Sequence, residues 1–329
     1  MVNETISEAV QLPMSSDTML YAGIVVIGLC LIYGIGKYLS NRSSEGCSFH
    51  TIIFKKRKIP SKSFNKNKFR NYCGVEIECI KKGGELYFDE EDLKEHCFSQ
   101  VRDGSLSSSG IEFISQPSQG DNLLKMIKRF TDELNEKKYY IDRSCGLHIH
   151  LEVPIKLGLI KKMYIFYSKY EDLFFKMLPK SRQKSKYCER FREFDDYDWE
   201  DVSKIRSLED FKKLYYETNY YQSRTEEKYA DKRYCWINFH SLFYRGTLEV
   251  RAHSGTINHE KIANWLLIHL SIINFLDKTK MDKIVKMDAT KGNFLKIFTL
   301  RIKKYIKLRW EKFPRGKEED LKCEKGAKK

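Results

Sequence analysis

Four separated stretches of this chain carry acids or imidazoles at alternate positions. They are Gly74-Val75-Glu76-Ile77-Glu78-Cys79, Gly110-Ile111-Glu112-Phe113-Ile114, Gly146-Leu147-His148-Ile149-His150-Leu151-Glu152 and Thr247-Leu248-Glu249-Val250-Arg251. Successive side chains of a β-strand point to opposite faces, so each stretch separates an apolar face from a chemical one. A half-exposed antiparallel strand alternates in the same way, and its polar face is ordinarily just wet. Lysine, however, is abundant in the chain and absent from all four polar faces. Carboxylates held together repel one another and take up protons unless a cation neutralises them. Oxygen ligands with a few imidazoles suit Mg²⁺ or Mn²⁺. The pattern predicts a divalent-cation site drawn from Glu76, Glu78, Glu112, His148, His150 and Glu249.

Neighbouring residues extend that chemistry. Guanidinium groups bind phosphate oxygens through paired hydrogen bonds, which nominates Arg251, Arg245 and Arg233 as phosphate contacts. A plain surface role is the alternative for Arg233 and Arg245. Residues 102–110 form a polar Ser- and Gly-rich loop with no GK[ST] after it, so it is not a Walker motif. Asp103 within it either reaches a metal or makes an Asp-Gly turn. His148 and His150 with Cys145 or Cys235 could instead bind zinc, but the carboxylates outnumber the thiols. Cys145 paired with a histidine would make a nucleophile and base. A small residue in a turn is its simpler reading.

These faces need a sheet and helices to hold them. Leu123, Leu124, Ile127, Phe130 and Leu134 recur at helical spacing and predict a helix over 121–138. Others are expected over 155–178, 208–221 and 293–307. Asn258 can cap a long helix running through Trp265 to Leu276, with Glu260 in its first turn. The implied class is α+β, with helices on one face of a mainly antiparallel sheet.

Composition and flanks set the context. Residues 19–36 read MLYAGIVVIGLCLIYGIG, uncharged and nearly long enough for a hydrocarbon core of roughly 30 Å. The preceding segment holds Glu4, Glu8 and Asp17 but no basic residue, unlike a signal peptide. A single uncleaved transmembrane helix over 19–37 is therefore expected, after a short acidic segment (1–18). Lys37 and Arg42, then Lys55, Lys56, Arg57 and Lys58, place the large C-terminal part of the chain on the cytosolic side. That four-residue basic run either leans on anionic headgroups or is a solvated linker. Residues 38–71 read as a basic polar linker, 72–310 as the main domain and 311–329 as a charged, disordered tail. Nine cysteines, an odd number without a CxxC pair, argue against a disulfide framework and fit a reducing compartment. The net charge of +15 permits nucleic-acid binding, yet the four faces put acids where a phosphate-binding surface would want bases.

The same residues resemble a known family. Gly-Val-Glu-Ile-Glu at 74–78, Asp-Gly-Ser at 103–105 with Gly-Ile-Glu-Phe-Ile-Ser at 110–115, Cys-Gly-Leu-His-Ile-His at 145–150, and Gly-Thr-Leu-Glu-Val-Arg at 246–251 with Ser-Gly-Thr-Ile-Asn at 254–258 are similar, in that order, to the amidoligases. These are carboxylate–amine ligases of the glutamine synthetase-like group. The resemblance covers about residues 71–275. It implies that Glu76 and Glu78 hold two different metals, that Glu112 joins one of them, and that His148 and Glu249 complete the other. Arg251 would touch the transferred phosphate, while Glu112 and Asp103 would act in catalysis. His150, Glu152 and Asp103 carry over less directly. The implied cofactors are ATP and Mg²⁺ or Mn²⁺, and the implied substrates a carboxylate and an amine of an amino acid, peptide or protein. The chain departs from the family in its anchor and in the charged, aromatic stretch 180–233, read as a specificity insertion. Two other functions stand beside this one: a membrane-tethered nucleic-acid- or partner-binding protein, and a phosphotransferase on the same scaffold.

Overall fold

A computed structural model of the chain describes residues 71–81, 88–102, 104–106, 110–191, 199–217 and 220–313. The expected transmembrane helix over 19–37, the linker up to residue 70, Asp103 and the tail beyond residue 313 lie outside these. No helix among the described residues is long and apolar enough to cross a membrane.

Seven strands form one sheet among the described residues. They are β1 (Cys73–Lys81), β2 (Phe98–Val101), β3 (Gly110–Ser115), β4 (Tyr139–Tyr140), β5 (Gly146–Glu152), β6 (Ile237–Asn238) and β7 (Thr247–Ser254). Their spatial order is β2-β3-β1-β5-β7-β6, with β4 beside β1, and every strand pairing is antiparallel. The helices are α1 (Glu90–His96), α2 (Gly120–Glu136), α3 (Leu157–Phe175), α4 (Lys180–Gln183), α5 (Trp199–Lys204), α6 (Leu208–Tyr216), α7 (Tyr221–Glu226), α8 (Phe239–Arg245), α9 (His259–Lys278), α10 (Met281–Lys286), α11 (Lys291–Lys296) and α12 (Leu300–Lys312). The class is α+β, as the alternation and helical spacing predict.

Local chemistry explains where these elements begin and end. In α2, Leu123, Ile127, Phe130 and Leu134 make one buried stripe. The Asn258 side chain accepts from the Lys261 N–H at 3.0 Å and starts α9 where the sequence expects it. The helix expected over 208–221 stops at Tyr216. There Glu217 turns left-handed at φ 53° and returns its N–H to the Leu214 and Lys213 carbonyls. The helix expected over 293–307 is two, α11 and α12. The Ile297 and Phe298 N–H groups close short bonds to Phe294 and Leu295, and Thr299 opens the next helix in extended conformation. The break keeps both Phe294 and Phe298 buried, with ring centroids 5.0 Å apart.

One core lies against the apolar side of the sheet. Val75, Ile77, Phe113, Leu147, Ile149 and Val250 meet Ile127 and Phe130 of α2, Ile160 and Met163 of α3, and Trp265 and Ile268 of α9. The stretch expected as an insertion enters the same core through Phe191, Val202, Phe211 and Tyr215. Glu171 of α3, fully buried, fixes its path. One oxygen accepts from the Phe191 N–H at 2.7 Å and Trp236 Nε1 at 2.9 Å; the other accepts from Arg190 Nε at 3.1 Å. Sheet and helices together hold the opposite, chemical face in place.

Candidate metal centre

The strand order sets the four chemical faces side by side, as β3-β1-β5-β7. Register does the rest: Glu78 pairs with Glu112, Glu76 with His148, and His150 with Glu249. Paired residues share a face, so side chains up to 173 residues apart in sequence (Glu76 to Glu249) become neighbours.

Each oxygen of Glu76 meets one imidazole. Oε2 is 3.0 Å from His148 Nδ1, and Oε1 is 3.0 Å from His150 Nε2. Glu78 Oε2 accepts the Gly146 N–H at 2.5 Å, and its other oxygen lies 3.5 Å from His148 Nε2. Glu112 Oε1 approaches His148 Nδ1 to 3.9 Å. Glu249 Oε2 accepts from Asn238 Nδ2 at 2.7 Å, while Oε1 pairs with Arg251 Nη1 at 2.5 Å and stands 3.7 Å from His148 Nδ1. Glu76, Glu78, His148, His150 and Glu249 are each no more than 6% exposed. Carboxylates buried that deeply survive as anions only with close positive partners.

The titration of the site follows from those partners. Burial alone would raise the Glu76 carboxyl, but the charge of His150 and hydrogen bonds from both histidines hold it well below the usual carboxylate range. Glu249 is likewise penalised by burial, yet Arg251 and then His150 bring it down to about 2. Burial disfavours the Arg251 cation, and Glu249, Glu76 and Glu78 more than restore it. Glu76 and Glu249 are therefore carboxylates at neutral pH, and Arg251 is a cation beside them.

Two sets of ligand atoms emerge. Glu76, His148 and Glu249 form one, and Glu78, Glu112 and His148 the other; within each, the chosen atoms lie within 4.8 Å of one another. Hard divalent cations take carboxylate oxygens near about 2.1 Å, so a modest inward movement would close either set around an ion. The donor chemistry fits Mg²⁺ or Mn²⁺, with two carboxylates and one imidazole per set.

The remaining candidates divide. His150 stands outside both sets. Its Nε2 faces Glu76 and its Nδ1 lies 2.9 Å from Thr247 Oγ1, so it supports Glu76 from behind. Glu152 turns away, accepting the Tyr72 N–H at 2.8 Å. Arg251 lies among the carboxylates and also donates from Nε to the Tyr187 carbonyl at 3.2 Å. Arg233 rests on the rings of Tyr229 and Tyr234, and Arg245 ends α8. Both add their charge near His240, which burial and Arg233 and Arg245 push down to about 4. Neither forms an ion pair with the strand carboxylates among the described residues. Burial pushes the Cys145 thiol up to about 12, too high for a nucleophilic thiolate. Cys145 and Cys235 stay outside both ligand sets.

Three contributors escaped the sequence reading. Asn238 uses Oδ1 to cap α8 through the Ser241 N–H and Nδ2 to hold Glu249. Its Asn-x-x-Ser context carries the capping signal but not the second bond. Thr247 was visible in its motif without a role. Arg182, from the four-residue α4, has no sequence signal at all. The position a Cβ on Gly146 would occupy is 3.3 Å from Arg182 Nη2, 3.2 Å from Glu78 Oε2 and 3.1 Å from His148 Nε2. A glycine there keeps these three groups close together. Gly255 does similar service nearby: a Cβ would fall 2.5 Å from Cys145 Cβ, where the two backbones bond at 2.8 Å.

A family model described as putative amidoligase enzyme matches residues 62–273, which include all seven strands and both ligand sets. No curated protein and no solved structure matches the chain.

Proposed function

The chain belongs to the putative amidoligase family, whose description is that of amide-forming ligases, and from this membership we propose an ATP- and divalent-cation-dependent carboxylate–amine ligase. It would form an amide or peptide bond through an acyl phosphate. The observation that supports this reading most directly is the convergence of Glu76, Glu78, Glu112, His148 and Glu249 from four neighbouring strands, with Arg251 among them.

In the proposed reaction a substrate carboxylate oxygen attacks the γ-phosphorus of ATP, and the bond to ADP breaks. The amine then attacks the acyl carbon, phosphate leaves, and the amine gives up a proton. Such chemistry depends on positioning and charge neutralisation. Divalent cations held by Glu76, His148 and Glu249 and by Glu78 and Glu112 would supply that neutralisation. Arg251 would direct a guanidinium donor at the transferred phosphoryl group, with Glu249 and the Tyr187 carbonyl fixing its direction. Glu112 has the most exposed side chain of the set and would take the amine's proton. Asp103, which falls between β2 and β3 in the sequence, would assist. Arg233 and Arg245 would belong to an outer phosphate contact. The substrates would be an amino acid, peptide or protein, and the helix over 19–37 would anchor the domain on the cytosolic side.

The deciding experiment tracks Mg²⁺- or Mn²⁺-dependent ADP release by the full chain, with hydroxylamine as a trap and pooled amino acids and peptides as donors. Hydroxamate with wild type and none with Glu78→Gln supports the ligase and identifies the carboxylate. ADP without hydroxamate would shift the assignment to a phosphotransferase. A folded protein that binds neither divalent cation nor nucleotide would remove both.

A further inference from the structure

Between β5 and β7 the ladder gains a residue. Leu147 pairs with His253 and Ile149 with Val250, so Arg251 and Ala252 together oppose His148. A bulge of this kind bends its strand and re-aims side chains. It also moves His253, which strict alternation would place beside Glu249 and Arg251, to the buried core side, where it packs 5.0 Å from the Trp265 ring. Both bulge carbonyls are met by one side chain. Arg182 Nη2 donates to the Arg251 carbonyl at 2.8 Å, and Arg182 Nε donates to the Ala252 carbonyl at 3.4 Å.

Arg182 is 5% exposed and comes from a segment that grips Arg251 twice. Arg182 holds the Arg251 backbone, and the Tyr187 carbonyl accepts from the Arg251 side chain. The Cys188 thiol donates back to the Arg182 carbonyl at 3.4 Å, closing the segment on itself. A planar guanidinium can reach two consecutive carbonyls with donors in fixed relative positions; an ammonium cannot reproduce that fork. Loss of the clamp would free the bulge to migrate along the strand, and each one-residue slip exchanges the faces of the side chains it passes.

We propose that Arg182 is a positioning residue that clamps the β7 bulge and thereby fixes the direction of Arg251 against Glu249. What Arg251 then does to substrate rests on the ligase reading; its placement does not. The test uses the full chain labelled with ¹⁵N in its arginine side chains, with the Arg251 and Arg182 Nε–H signals identified by their loss in Arg251→Lys and Arg182→Lys. In wild type both should exchange slowly with solvent. In Arg182→Lys, Arg251 Nε–H exchange should quicken at least about tenfold while thermal unfolding stays cooperative, and exposed Lys184→Ala should change neither. Rapid exchange of either signal in wild type overturns the proposal without any variant, which covers the case of a substitution that does not fold. Undiminished Arg251 protection in Arg182→Lys overturns it as well. Where ADP release is measurable, Arg182→Lys should lower kcat more than it raises the KM for ATP. Combined with Arg251→Lys it should cost little beyond Arg251→Lys alone, because both act through one guanidinium. Additive losses would assign Arg182 a separate role. Wild type with slow exchange but no binding of divalent cation or nucleotide would refute the ligase reading and leave the clamp standing.

Discussion

Replacing Glu76 with glutamine tests whether the buried face is built for cations. The substitution keeps size and one acceptor oxygen, so it removes a charge without opening a cavity. Two carboxylates 4.8 Å apart, the outer limit of the Glu76–Glu249 separation within their set, repel by about 3.5 kcal/mol at an effective dielectric of about 20. Arg251 and the two histidines offset part of that in the cation-free protein. A bound dication would remove the remainder, so cations should stabilise the fold. At about 100 times its dissociation constant a ligand adds about 2.7 kcal/mol. For a domain of this size that corresponds to a rise of about 5–10 °C in Tm. The assay is thermal unfolding of the full chain with MnCl₂ against NaCl at matched ionic strength. If Glu76→Gln weakens binding about 100-fold, the same MnCl₂ concentration should contribute only about 0.4 kcal/mol, or about 1 °C. Wild type that gains nothing over NaCl, or a variant that gains as much as wild type, would show that the face is not built for cations.

The same geometry sets further outcomes. Glu112→Gln and Glu249→Gln should each lose one of two Mn²⁺ ions by electron paramagnetic resonance, because their carboxylates belong to different sets, whereas His148→Ala should weaken both; unchanged stoichiometry in all three would dissolve the two-set arrangement. Gly255→Ala forces a Cβ to within 2.5 Å of Cys145 Cβ and 2.8 Å of Ile141 Cγ2, and should destabilise by about 1–3 kcal/mol in urea unfolding. Cys145→Gly in that background should recover part of the loss, and a wild-type midpoint for Gly255→Ala would contradict the packing argument. Acid should also weaken the fold through the core histidines. Burial, helped by Arg309 at His253 and by His253 at His269, pushes each down to about 3, while an unfolded imidazole titrates near about 6.5. Between those values the unfolded chain holds protons that the folded chain does not. Their contribution is therefore full above about pH 6.5 and declines as pH falls toward 3, by up to about 1.4 kcal/mol per unit per histidine. Urea midpoints across that range should show this decline, and His269→Phe should flatten it; an unchanged slope would remove His269 from the account.

The chemical faces and most element types follow from local sequence. Alternation in β1, β3, β5 and β7 is a local consequence of the pleat, so Glu76, Glu78, Glu112, His148 and Glu249 could be assigned to polar faces before any pairing was known. The stripe of α2 and the Asn258 cap of α9 are local in the same sense. Helix ends held by a left-handed residue, as at Glu217, or by paired buried rings, as at Phe294 and Phe298, were not legible, because tertiary burial sets them. Tertiary structure alone decided that β3, β1, β5 and β7 lie adjacent and in a register that sorts five ligands into two sets. It placed His150 behind Glu76, and among the described residues it kept Arg233 and Arg245 out of ion pairs with the strand carboxylates. The bulge shows why. Alternation would have put His253 beside Arg251, and nothing in a four-residue helix announces Arg182. Both depend on one extra residue in one strand, and a bulge exists only in the pairing of two strands.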